Sequence, residues 1–145
     1  MQRISIILVL PFLFCFSACS GNNPQGRVAI RGDIMLDGQP LLEGSIQFES
    51  LPEMQPGVIT GGTIEKGTFS IAAADGLIPE QEYIVRIRSM EEIPGTSGTA
   101  SSMSSMTRNI QYRDIIPPQY GKASTVTFKA TKKSPNVFQI DIKPE

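Results

Sequence analysis

A chain of 145 residues with 13 Lys+Arg, 14 Asp+Glu, 13 Gly, 11 Pro and two Cys suits one small domain with a short appendage, and is too short for two folded domains. A formal charge of −1 and a pI near 5.5 leave no basic excess to neutralise phosphates along a nucleic acid, which excludes that partner. The absence of His removes the commonest general base, the Ser-His-Asp and Cys-His systems and the imidazole ligands of zinc, so no catalytic residue, metal or cofactor is expected.

Residues 1–18 have the architecture of a signal peptide: one cation at Arg3, an apolar run from Ile4 to Phe16, and small residues Ser17 and Ala18. The run is shorter than the roughly 20 residues a bilayer-spanning helix needs, and Pro11 interrupts it. Phe16-Ser17-Ala18-Cys19 resembles a bacterial lipobox. The resemblance implies cleavage before Cys19 and a diacylglycerol on its sulfur. Cys15 would depart with the leader, leaving Cys19 as lipid attachment site and no thiol for a disulfide. Two or three acyl chains anchor durably, since each buried methylene contributes roughly 0.8 kcal/mol. Losing Arg3 with the leader makes the remaining chain more acidic still, so the membrane is a partner through lipid rather than through a polybasic patch. Residues 19–26 then read as the lipidated Cys and a flexible polar tether.

From residue 27 to 145 the pattern is β. Val28, Ile30, Ile34 and Leu36 share one parity against Arg31 and Asp33, with Gly32 on the inward parity as the mark of a close backbone approach. Asp37-Gly38 turns the chain. Ile46 and Phe48 mark a second strand, and residues 57–60 a third that ends at Gly61-Gly62. Ile64, Lys66-Gly67, Phe69 and Ile71 read as a hairpin. Tyr83, Val85 and Ile87 alternate with Glu82, Arg86 and Arg88, and two last strands follow at Val126–Phe128 and around Phe138, Ile140 and Ile142. About seven short strands with turn signals between them, and no sustained helical spacing, predict an all-β domain of two antiparallel sheets packed face to face, with a barrel as the alternative closure.

Residues 89–114 form a Ser- and Thr-rich insertion without strand alternation, longer than an ordinary ordered loop. Its Met103 and Met106, beside Arg108 and Arg113, are the candidate partner contacts: adaptable thioethers next to cations that suit an anionic partner. Ser101, Ser102, Ser104 and Ser105 lie in no nucleophile-elbow pattern.

With its turns in place, the chain resembles a known family. Gly32-x-Ile34-x-Leu36-Asp37-Gly38-Gln39-Pro40-Leu41, then Glu43-Gly44-Ser45-Ile46-Gln47-Phe48, look like the opening of carboxypeptidase regulatory-like domains, the transthyretin-like β-sandwich modules found in small lipoproteins of planctomycete-type bacteria. Similar correspondences follow at Gly62–Ile71, at Gly76-Leu77-Ile78-Pro79 through Tyr83-Ile84-Val85, at Ile116-Pro117-Pro118-Gln119-Tyr120, and at Asn136-Val137-Phe138-Gln139-Ile140. The resemblance implies a Greek-key sandwich of about seven strands and a noncatalytic module. It does not imply carboxypeptidase activity, which belongs to a separate zinc domain.

Other groups invite chemistry less strongly. Asp33, Asp37 and Glu43 offer oxygen ligands, yet their spacing matches no EF-hand loop. Arg86 and Arg88 share a strand face, with Arg31 or Asp33 as expected cross-strand neighbours. Tyr83 falls on the core parity, which predicts a buried hydroxyl tied to backbone, while Tyr120 suits a corner. The expected function is therefore a noncatalytic, membrane-anchored lipoprotein acting in envelope structure or protein interaction. The alternative is a carbohydrate or small-ligand binding module that meets a glycan through its loops. Ser20 after Cys19 favours the outer over the inner membrane.

Overall fold

A computed structural model describes residues 26–94 and 111–144. The leader, Cys19, the tether up to residue 25, and Met103, Met106 and Arg108 lie outside the described residues, as do the insertion's serines at 101–105.

The described residues are almost all β. Strands run at β1 (Ile30–Leu36), β2 (Gln39–Pro40), β3 (Glu43–Ser50), β4 (Ile59–Glu65), β5 (Thr68–Ile71), β6 (Glu82–Arg88), β7 (Met90–Glu92), β8 (Tyr112–Asp114), β9 (Thr127–Lys129) and β10 (Asn136–Ile142), with a single 3-10 turn at Ala73–Asp75. Among these residues no helix is long and apolar enough to cross a membrane. The main sheet is ordered β10-β1-β5-β4-β3-β6-β9 with β2 beside β1, and β7 and β8 form a separate ribbon.

Both predicted tight turns are present for the predicted reason. Asp37 and Gly38 have φ of 53° and 76°, and Lys66 and Gly67 have 51° and 80°, the paired left-handed geometry of two-residue hairpins. The inward set is also as expected: Ile30, Ile34, Ile46, Phe48, Ile64, Tyr83, Val85 and Ile87 are all buried. Gly32 faces Phe69 on one side and Phe138 on the other, and a Cβ there would overlap the Phe138 carbonyl oxygen.

The sheet curls until its ends meet. Phe138 on β10 and Phe128 on β9 belong to opposite ends of the strand order, yet their rings stand edge to face with centroids 5.7 Å apart. Phe48, on the inner side of β3, touches both and also Phe69. The twist of the strands brings these inward faces together, and burying aromatic area stabilises the closure.

Three expectations need correction. Gly61-Gly62 does not end a strand: β4 runs through both glycines from Ile59 to Glu65, paired with β3 at Ile46↔Gly62 and Gln47↔Gly61. A Cβ on Gly61 would overlap the Ile46 carbonyl, so here glycine permits close pairing instead of interrupting it. The sheet is not wholly antiparallel, because β10 lies parallel to β1 in the register Gly32↔Phe138. No hairpin joins these two strands, so no turn dictates their relative direction. Finally, the insertion begins and ends in strands, with Met90↔Asp114, Glu91↔Arg113 and Glu92↔Tyr112 pairing β7 to β8. All six residues are exposed, and a strand wet on both faces leaves no alternation to read.

Tyr83 carries its hydroxyl into the core, as its parity predicts. The Ile78 N–H donates to the phenol oxygen at 2.8 Å, and the phenol donates toward Gln81 Oε1 at 3.3 Å. Burial pushes its pKa above the ordinary 10.0, while the Ile78 bond and the Arg27 charge pull the other way. A raised folded-state value means that this contribution to stability is complete below the unfolded pKa and is lost as pH rises beyond it. Tyr83→Phe is expected to cost about 1–2 kcal/mol at neutral pH by leaving the Ile78 N–H unsatisfied. Melting curves across pH 8 to 11 check the linkage: the wild type should lose stability above about pH 10 more steeply than the variant.

Candidate functional site

The outer face of β3 and β6 carries a polar cleft that the strand register dictates. Ser45 pairs with Arg88 and Gln47 with Arg86, so both arginines and both small polar residues project to the same side, away from Ile46, Phe48, Val85 and Ile87. The exposed edge of β6 is covered by the 117–124 turn, whose Tyr120 carbonyl accepts the Ile87 N–H at 2.8 Å. Gly121 lets that turn lie close, since a Cβ would come 3.2 Å from the Ile87 carbonyl oxygen. Lys122 is thereby set over the arginines. Ser45, Gln47, Arg86, Arg88, Gly121 and Lys122 line a cleft of about 360 Å³.

Arg86 is fixed within it. Its Nε donates to Glu49 Oε2 at 3.0 Å and its Nη1 to the Lys122 carbonyl at 2.8 Å. Arg88 is looser: its Nε stands 3.8 Å from Asp114 Oδ2, beyond hydrogen-bond range, and its side chain is two-thirds exposed. Asp114 is engaged elsewhere, since its Oδ1 accepts the Ile116 N–H at 3.1 Å and the Ser89 N–H at 3.4 Å. A neighbouring cleft shares Ser45 and Arg88 and continues toward Ser89 and Met90.

The arginine partners differ from the expected ones. β3 and β9, not β1, flank β6, so Arg31 and Asp33 are out of reach and Glu49 and Asp114 take their place. Asp33 instead accepts a 2.6 Å bond from Gln139 Nε2. It lines a larger cleft of about 500 Å³ with Met35, Pro40, Lys66, Gln139 and Asp141. The Lys143 ammonium, and then the Gly38 N–H, hold the Asp141 carboxyl below its usual range. Among the described residues no three His, Cys, Asp or Glu side chains gather as a metal site, Asp33, Asp37 and Glu43 included.

Of the candidate contacts in the insertion, Arg113 alone is described. It sits on β8, where Nη2 and Nε bond Glu91 Oε2 at 2.9 and 3.3 Å across the ribbon. That cation therefore belongs first to a cross-strand ion pair. Lys122 was missed by sequence reasoning, because nothing local in a turn after two prolines indicates which strand it will cover; the paired parity of Arg86 and Arg88 was the visible half of the signal. Comparison with protein-family models, curated proteins and solved structures finds no match for this chain.

Proposed function

We propose that this chain is a noncatalytic, lipid-anchored module of the carboxypeptidase regulatory-like kind, held at a bacterial envelope through Cys19, on the outer rather than the inner membrane, and acting in envelope structure or protein interaction. The observation that carries the reading is the junction between leader and fold. Phe16-Ser17-Ala18-Cys19 closes an apolar run, and among the described residues the first β pairing is Val28 with Leu77. The intervening residues could span about 30 Å when extended, enough to hold the module clear of a bilayer surface.

The curl supports the finer fold. β4 and β5 share a single ladder pair, Glu65↔Thr68, the thinnest link in the strand order. The sheet then reads as two layers, β10-β1-β5 over β4-β3-β6-β9, the seven strands of a Greek-key sandwich with the Phe48, Phe69, Phe128 and Phe138 rings between them. The β7–β8 ribbon pairs with neither layer and forms the two ends of the insertion, whose Met103, Met106, Arg108 and Arg113 are proposed to meet a partner.

Growth with a radiolabelled fatty acid tests the anchor. The wild type should take up label and fractionate with membranes, and Cys19→Ala should lose both. Equal labelling of the two would overturn the assignment.

A further inference from the structure

The geometry points to the cleft between β6 and the 117–124 turn as a binding site for a phosphate group. Its lining holds three cations, Arg86, Arg88 and Lys122, with the Ser45 hydroxyl and the Gln47 amide, and no carboxylate. The cations arrive from two elements. Arg86 and Arg88 rise from one strand face, two residues and so about 6.5 Å apart along β6, while Lys122 comes from the turn across the cleft. Donors converging from both sides suit the several oxygens of a tetrahedral phosphate better than one planar carboxylate, which a single guanidinium fork would satisfy.

Charge and preorganisation agree. Glu49 neutralises part of Arg86 and in doing so holds it still, leaving Nη2 and its two N–H groups to donate. Arg88 is held more loosely: Asp114 Oδ2 lies 3.8 Å from its Nε, an ion pair too long for a hydrogen bond, while Oδ1 accepts two backbone N–H groups, so most of the Arg88 donors stay open to the cleft. Among the described residues no carboxylate lies within ion-pair distance of the Lys122 ammonium. A volume of about 360 Å³ admits a phosphate monoester with a small polar body. The larger cleft offers the contrast: Asp33 and Asp141 beside Lys66 make it a poor anion site despite its size.

The phosphate could be borne by a soluble monoester or by a lipid headgroup. The test uses the full chain, 15N-labelled, in a non-ionic detergent, with inorganic phosphate titrated against chloride at matched ionic strength. Saturable shifts of the Arg86 and Arg88 Nε–H resonances are expected with phosphate only. Arg88→Gln and Lys122→Gln should each weaken the response about tenfold, the loss of one charge-assisted contact, while Lys66→Gln leaves it unchanged. Lys122 is an exposed turn residue, so its variant serves even if Arg88→Gln perturbs the sheet. Dihexanoyl phosphatidylglycerol giving the same Arg88-dependent shifts at lower concentration than phosphate assigns a headgroup; an equal or weaker response assigns a soluble monoester. Chloride reproducing the shifts, or both cleft variants responding like the wild type, overturns the site.

Discussion

Gly32→Ala is expected to cost at least about 3 kcal/mol, a large share of the roughly 5–15 kcal/mol that holds a domain of this size together. The added methyl has nowhere to go. Gly32 pairs with Phe138 in the parallel β1–β10 ladder and with Phe69 in the antiparallel β1–β5 ladder. A Cβ would overlap the Phe138 carbonyl oxygen and stand 2.9 Å from the Phe69 ring. The first obstacle is backbone, which cannot swing aside as a side chain can, so β10 would have to leave β1. Urea unfolding checks this against Gly38→Ala, where nothing lies within 4 Å and only the left-handed φ of 76° is at stake. That control should cost about 1–2 kcal/mol. A Gly32→Ala variant as stable as the Gly38→Ala variant would mean that β10 does not pair with β1 in this register.

The same glycine marks how far sequence reasoning reaches. Its inward parity in an otherwise apolar row indicates a close backbone approach, and nothing local says that the approaching strand is Phe138 on a parallel neighbour more than a hundred residues away. Turns were legible because Asp37-Gly38 and Lys66-Gly67 have the residue types that left-handed φ demands. Inward residues were legible because one face of each long strand is buried. The β7–β8 ribbon was not, since both of its faces are wet, and the continuity of β4 was not, since a Gly-Gly pair signals a break and a close approach equally well. Half of the cleft could be read from the Arg86 and Arg88 parity. Lys122 could not, because its position depends on how the 117–124 turn docks along β6, a long-range fact.

Phe48→Ala is expected to cost about 4 kcal/mol and to loosen the closure of the curled sheet. Phe48 is fully buried on β3 and meets Phe69, Phe128 and Phe138 at centroid distances of 6.0, 6.1 and 5.9 Å. Two of those partners, on β9 and β10, lie at the ends of the strand order, where each end strand pairs within the sheet on one side only. Removing the ring therefore leaves a cavity where the two ends meet, and the ladders β3–β4 and β3–β6 survive it, because their hydrogen bonds and the Ile46, Ile64 and Ile87 packing remain. Phe48→Leu keeps most of the volume and forfeits the ring geometry, for a loss of about 1–2 kcal/mol. Amide exchange distinguishes closure from general loosening: in Phe48→Ala, protection should fall first across Thr127–Lys129 and Asn136–Ile142 and last across Glu43–Ser50. Uniform loss over every strand would mean that the Phe128–Phe138 contact is a passive consequence of packing elsewhere, and that Phe48 does not join the two ends of the sheet.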